Sequence, residues 1–293
     1  MEIVAQFGGA HYFPWKPTLL MPVGDIQFDG KHGAADLPRL HRFLEWGMER
    51  EAWFLGMGDF VDFLSPSNRN RLRMAGLYDT AEQVIDDAAT DLENELMVVL
   101  APTKGRWLGL LQGHHYYTHL TGGTSDTFFA KSLGCSFLGD CAILRLVFRD
   151  ERGGSCALKV WAHHGPSRGA STPEGALAAL KRHKIGHADC RLFLQGHLPF
   201  LGKTVSDSVD VPDRGPARLF HEDTHYVLTG GFARSYQQGS HFAGRAQGGY
   251  AEKAMMLPAT LGAPVITLTP ELIAVGSGKG RTSRRVVDIK ESS

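Results

Sequence analysis

Five short apolar runs in this chain each stop at an Asp or a His with Gly close by, and that recurrence constrains the fold more than any other feature. Residues 18–23 lead to Gly24-Asp25, residues 53–57 to Gly58-Asp59, and residues 107–111 to Gly113-His114-His115. Residues 157–161 lead to His163-His164-Gly165, and residues 192–194 to Gly196-His197. Brief apolar runs bounded by turn residues fit strands buried on both faces. Leu37, Leu40, Leu44 and Met48 recur at helical spacing between the first two runs, which gives strand, helix, strand and an α/β fold. In such sheets the carboxyl ends of the strands share one rim, where loops can gather side chains from distant positions into one site.

The remaining elements follow from the same signals. A long helix is expected from about Thr80, capped by its hydroxyl with Gln83 reciprocating and with Val84, Ala88, Leu92 and Leu96 as its buried stripe. A helix at 127–133 precedes strands at 142–148 and 157–161 joined by a Gly153-Gly154 turn. Thr172 with Pro173 opens a further helix. Late strands are expected at 226–229 and 265–268, the latter in a hairpin with 273–275. Residues 1–18, with Gly8, Gly9, Pro14 and Pro17, show no period and read as an irregular extension. The Gly-, Ser- and charge-rich stretch 276–293 reads as a flexible tail, which leaves 1–275 as a single domain.

Composition narrows the partners. Thirty-one Lys and Arg balance thirty-one Asp and Glu, so no global field draws the protein to nucleic acid or an anionic membrane. The run Arg69, Arg71, Arg73 is the one local basic patch, and a solvated face is its ordinary explanation. No apolar stretch reaches the roughly 18 residues of a membrane span and the first residues do not read as a signal peptide, so a cytoplasmic location without membrane contact is expected. Cys135, Cys141, Cys156 and Cys190 lack Cys-x-x-Cys spacing and read as reduced core thiols.

Mixed carboxylate and imidazole donors on one rim suit Zn, Mn or Fe, and a shared carboxylate can hold two ions about 3.5–4 Å apart. Such a site binds phosphate and activates water near neutral pH, which makes phosphoester hydrolysis the reaction it serves best.

The order of these motifs resembles the calcineurin-like metallophosphoesterase superfamily over roughly residues 20–200. Asp25-Ile26-Gln27 stands for the family's Asp-x-His, Gly58-Asp59-Phe60-Val61-Asp62 matches Gly-Asp-x-x-Asp, and Gly113-His114-His115-Tyr116 stands for Gly-Asn-His-Glu/Asp. His163 or His164 supplies the fourth motif, with Gly165 favouring His164, and Gly196-His197-Leu198-Pro199 stands for Gly-His-x-His. Leu228-Thr229-Gly230-Gly231-Phe232 and Gly249-Tyr250-Ala251-Glu252 are similar to phage and prophage-type members. The resemblance implies a four-layer α/β/β/α sandwich with its metal site at the strand carboxyl ends, and a phosphodiester of nucleic acid or a nucleotide as substrate. It implies that Asp59 bridges two metals, with Asp25 and Gln27 on the first and His114, His164 and His197 on the second. His115 would act at the phosphate as general acid or as a stabiliser of transition-state charge, and Asp62 would orient a neighbour.

Two departures weaken the first site. Pro199 replaces a ligating His, and Gln27 offers only an amide oxygen. One ion is therefore expected firmly and a second is not. The same departures sustain an alternative, a degenerate member in which metal supports a binding or structural module. His221, His225 and His241 are the histidines that could fold back to replace the lost ligand.

Overall fold

The computed structural model describes residues 6–30, 34–166, 170–187, 189–210, 219–236, 241–242, 245–246, 250–253, 255–275 and 282–292. The chain begins with β1 (Gln6–Pro14), β2 (Thr18–Val23), α1 (Leu37–Glu49) and β3 (Trp53–Gly56). It continues through α2 (Pro66–Met74), α3 (Asp79–Leu100), β4 (Trp107–Leu111), α4 (Ser125–Leu133) and β5 (Phe137–Gly139). Next come β6 (Cys141–Arg149), β7 (Ser155–His163), α5 (Pro173–Arg182), β8 (Leu192–Gln195), β9 (Leu201–Asp210) and β10 (Phe220–Thr229). The last elements are β11 (His241–Phe242), β12 (Arg245–Ala246), α6 (Tyr250–Lys253), β13 (Val265–Val275) and β14 (Thr282–Ser292).

Two six-stranded sheets form, in the orders β1-β6-β7-β8-β10-β9 and β14-β13-β2-β3-β4-β5. In the second, β2, β3, β4 and β5 run parallel, and in the first β7, β8 and β10 do. Three apolar clusters define the layers. One joins Leu20, Leu55 and Leu108 of one sheet to Leu146, Val160 and Leu194 of the other, and so lies between the sheets. A second packs Met21, Phe54 and Leu110 against Leu40 and Leu44 of α1, Leu96 of α3 and Phe129 of α4. The third packs Trp161, Phe193 and Tyr226 against Ala176 and Leu180 of α5. Helices thus cover the outer face of each sheet, giving the expected α/β/β/α sandwich. The parallel strands read as unbroken apolar runs because both their faces are covered.

Four sequence expectations are corrected. Residues 6–14 are not an irregular extension but the edge strand β1, parallel to β6, with the register break between Phe7 and Ala10 taken up at the Gly8-Gly9 pair. Pro14 is tolerated because it ends an edge strand. Residues 282–292 are not a flexible tail but β14, in which Val287 and Ile289 alternate inward among polar neighbours, the period of an antiparallel strand with one wet face. Residues 265–275 form one continuous strand whose hairpin partner is β14, rather than two short strands folded on each other.

The fourth correction concerns α3. Its buried positions are Asp86, Ala89, Glu93, Leu96 and Leu100, while Val84 is 67% exposed, and Tyr78 precedes it without a side-chain cap. Acidic residues take the inner face because His119 lies there, with Nε2 2.8 Å from Glu93 Oε1 and Nδ1 3.3 Å from Asp86 Oδ1. Asp86 also accepts from the Leu120 N–H at 2.9 Å. Burial of a carboxylate is tolerated where such partners exist. Among the described residues no helix is long and apolar enough to cross a membrane.

Ile289 is 4% exposed in the core between the sheets. Ile289→Ala is expected to lower the unfolding free energy by about 2–4 kcal/mol in urea titration, whereas an unchanged midpoint would show that the last segment is unanchored.

Candidate metal centre

The loops after β2 and β3 continue the pairing of their strands, and this sets two carboxylates side by side. The Asp25 N–H donates to the Gly58 carbonyl at 2.9 Å, that of Gln27 to Asp59 at 2.9 Å, and that of Phe28 to Phe60 at 3.0 Å. To make these turns, Asp25, Gln27, Asp59 and His197 take φ values of 47°, 48°, 52° and 65°, four of the six non-glycine residues with positive φ among those described. Each costs on the order of 1 kcal/mol or more and persists only where surroundings enforce it. Enforcement at Asp25 is visible: its carbonyl accepts from the Phe232 and Ala233 N–H groups at 2.9 and 3.0 Å, and Oδ2 accepts from the His197 N–H at 2.9 Å.

Asp59 is held by the loop after β4. Its Oδ1 accepts from the backbone N–H groups of His114 at 2.5 Å and His115 at 2.9 Å. Gly113 permits this approach, because a Cβ there would lie 2.1 Å from both Asp59 N and Asp59 Oδ1. The Gly113 N–H donates to the buried Asp126 Oδ2 at 2.9 Å. His164, just after β7, donates through Nδ1 to the Met57 carbonyl at 2.7 Å, which orients the ring with Nε2 toward Asp59.

That Nε2 sits 3.3 Å from Asp59 Oδ2, and apart from this charge contact with each other both buried atoms lack a hydrogen-bond partner. Buried polar atoms without partners are rare and call for an explanation. A cation supplies one, since it turns both atoms into ligands. The donor atoms of Asp25, Asp59, His164 and His197 lie within 4.8 Å of one another, as do those of His114, His164 and His197. The Nδ1 atoms of His114 and His197 are 3.1 Å apart. Two carboxylates with two or three imidazoles in this space fit a divalent ion of the Zn, Mn or Fe kind.

Electrostatics favours the ligand forms of the outer imidazoles. Burial, reinforced by His164 and His114, pushes His197 down to about 4, and burial with His164 lowers His114 too, so both rings are neutral with lone pairs available. Burial raises Asp25 to about 7 against the pull of His164. Burial also opposes charge on Asp59 and on His164, but their proximity outweighs it, holding the carboxyl far below its usual range and the imidazole up at about 10, so an ion bound between them would take the place of the proton on Nε2.

The other expected residues fall around this cluster. His115 is outside both donor groups; its Nδ1 lies 2.6 Å from Asp62 Oδ1, so Asp62 orients His115. Burial disfavours the imidazolium of His115, but Asp62 together with Asp59 and Asp25 more than restores it and the pKa is raised. His163 is also outside the groups: its Nδ1 accepts from the Gly165 N–H at 2.7 Å, and its ring stacks on Trp161. Between the two histidines ending β7, the cluster therefore takes His164. Gln27 is half-buried and tied to Asp59 through its backbone N–H, and the carbonyl of Pro199 accepts from Thr260. His164 and His197 serve both donor groups, so the ligands form one shared cluster rather than two separate sets.

No distant His replaces the lost ligand among the described side chains: His225 pairs with Glu291 at 2.5 Å and His221 is exposed on β10. The side chain of His241 lies outside the described residues, as does that of Arg73. Arg69, read from sequence as part of a surface patch, instead turns inward. Its Nη1 donates to the carbonyls of Leu64 at 2.7 Å, His114 at 2.6 Å and Tyr116 at 3.0 Å. Neither Arg69 nor Asp126 carries a local signal for these roles, because both act through backbone groups of another loop.

No protein-family model matches the sequence, and none of the curated proteins is similar to it. Among solved structures, the chain is similar to the calcineurin-like phosphoesterase YfkN from Bacillus subtilis, with 11% identity and a TM-score of 0.32 over 96% of this chain and 91% of that one.

Ligand binding to the folded state alone raises stability, by about 2.7 kcal/mol at a hundredfold excess over Kd. Zn²⁺ or Mn²⁺ is therefore expected to raise the melting temperature of the chelator-treated protein by several degrees, and His164→Ala to remove that increment. An equal increment in the variant would place the ion elsewhere.

Proposed function

We propose that this chain is a metal-dependent phosphoesterase of the calcineurin-like kind, acting on a phosphodiester in nucleic acid or a nucleotide. The observation that carries the proposal is the unpartnered pair Asp59 Oδ2 and His164 Nε2, inside a ring of Asp25, His114 and His197 and beside the His115–Asp62 dyad. The order of strand-end motifs supports it independently.

Asp25, Asp59, His164 and His197 would hold a divalent ion, with His114 able to join them. When bound, the ion supplies Lewis-acid stabilisation of phosphoryl charge and a water acidified toward neutrality. The chain's own contribution is positioning and proton transfer. Asp62 fixes the ring of His115 through Nδ1 and favours its protonated form, which suits it to donate a proton to the departing oxygen. Two carboxylates balance one divalent charge, and Gln27 and Pro199 add no anionic or imidazole donor, so one ion is the expected complement. The wall beside Asp25 includes Gly231 and Phe232, within the segment similar to phage-type members, and we extend the proposal to that branch. All four cysteines are free thiols, which suits a reducing compartment and fits a cytoplasmic setting.

A second reading, a metal-supported binding module without turnover, is favoured by Pro199 and Gln27. Assay of bis-para-nitrophenyl phosphate with Mn²⁺ separates the two. Turnover is expected in the wild type, with Asp59→Ala at background and His115→Ala reduced about 10²–10⁴-fold while still binding metal. Turnover that survives Asp59→Ala contradicts the proposal, and metal uptake without turnover on a broad phosphoester panel favours the module.

A further inference from the structure

The loop that carries His114 and His115 is secured by charged side chains from three other places. Asp126 takes the N–H of Gly113, Asp59 takes those of His114 and His115, and Arg69 takes the carbonyls of His114 and Tyr116. The carbonyl of His115 accepts from the Phe63 N–H at 3.3 Å. Within this arrangement one connection stands apart. The carbonyl of His114 and the N–H of His115 belong to the same peptide group, so a single peptide links the guanidinium of Arg69 to Oδ1 of Asp59. A hydrogen-bonded chain with a cation at one end and a carboxylate at the other polarises the peptide between them and strengthens both bonds.

We infer that Arg69 is a positioning residue for the metal centre, holding Oδ1 of Asp59 on the backbone so that Oδ2 is presented to the ion. This rests on the metal-centre reading above. Three features make Arg69 suited to the role. It lies one turn into α2, with its N–H on the Ser65 carbonyl at 2.9 Å, so the helix that follows the Asp59–Asp62 motif delivers it. Its guanidinium lies 3.8 Å over the ring of Tyr116, which orients Nη1 toward the three carbonyls. No carboxylate among the described residues forms a salt bridge with it, so its donors serve carbonyls rather than a counter-ion. A lysine is shorter and cannot stack in plane on Tyr116, so its ammonium would not be held where the three carbonyls converge.

The test uses the purified full chain freed of metal, with Mn²⁺ as the probe in titration calorimetry and metal-free melting as the control for folding. Arg69→Lys and Arg69→Met are expected to melt cooperatively yet bind Mn²⁺ at least about tenfold more weakly, the usual range for partners that orient ligands. Arg71→Met, on the same helix but exposed, is expected to bind as the wild type does. In Arg69→Ala, guanidinium at millimolar concentration is expected to recover part of the affinity and ammonium none, a difference that a merely structural role would not produce. A folded Arg69→Lys that binds Mn²⁺ within a factor of about two of the wild type overturns the inference. If Arg69→Met does not fold, Arg69→Lys alone decides. A wild type that takes up neither Mn²⁺ nor Zn²⁺ sinks the metal reading itself, an outcome distinct from failure at Arg69.

Discussion

Asp59 ties one oxygen to the backbone and turns the other toward a buried imidazole, and the rest of the site is arranged around that division. Oδ1 is saturated by two backbone N–H groups from the loop after β4, while Oδ2 faces His164 Nε2 in a buried space where neither has a hydrogen-bond partner. Two opposed demands meet here. Burial raises the energy of any charge on these groups, and their proximity lowers it again, so the pair is tolerable only because both members are present. The strained backbone at Asp25, Gln27, Asp59 and His197 belongs to the same arrangement: left-handed turns at three strand ends bring the side chains of Asp25, Asp59 and His197 together beside His164.

The sandwich supplies the rigidity this requires. Asp25 and Asp59 leave one sheet and His164 and His197 leave the other, so the donors meet where the carboxyl ends of the two sheets come together. Direct bonds stitch the two rims, with His164 on the Met57 carbonyl and the His197 N–H on Asp25. The core between the sheets, closed at one edge by β14, therefore bears on the spacing of the ligands as well as on global stability.

Much of this was legible in the chain because buried parallel strands leave a simple trace, an unbroken apolar run that ends in Gly and a polar residue. Asp25, Asp59, His164 and His197 were picked out that way and lie together in the structure, and the layered α/β class was read from the same runs. What escaped sequence reading escaped for physical reasons. The edge strands β1 and β14 carry Gly, Pro and charge because one face or edge meets water, which hides their period. The inner face of α3 is partly acidic because His119 supplies partners for Asp86 and Glu93, so an apolar stripe was the wrong template. Arg69 looked like surface charge because its partners are carbonyls some 45 residues away in sequence, and a backbone acceptor has no residue type.

The central claim, that Asp59 Oδ2 and His164 Nε2 are unpartnered because they share a cation, is tested most directly by anomalous diffraction from crystals grown with Mn²⁺ or Zn²⁺. The account predicts one dominant anomalous peak within bonding distance of both atoms, with Asp25 and His197 completing its surroundings. Ions found only elsewhere on the protein, with Asp59 and His164 still facing each other unaltered, would contradict it.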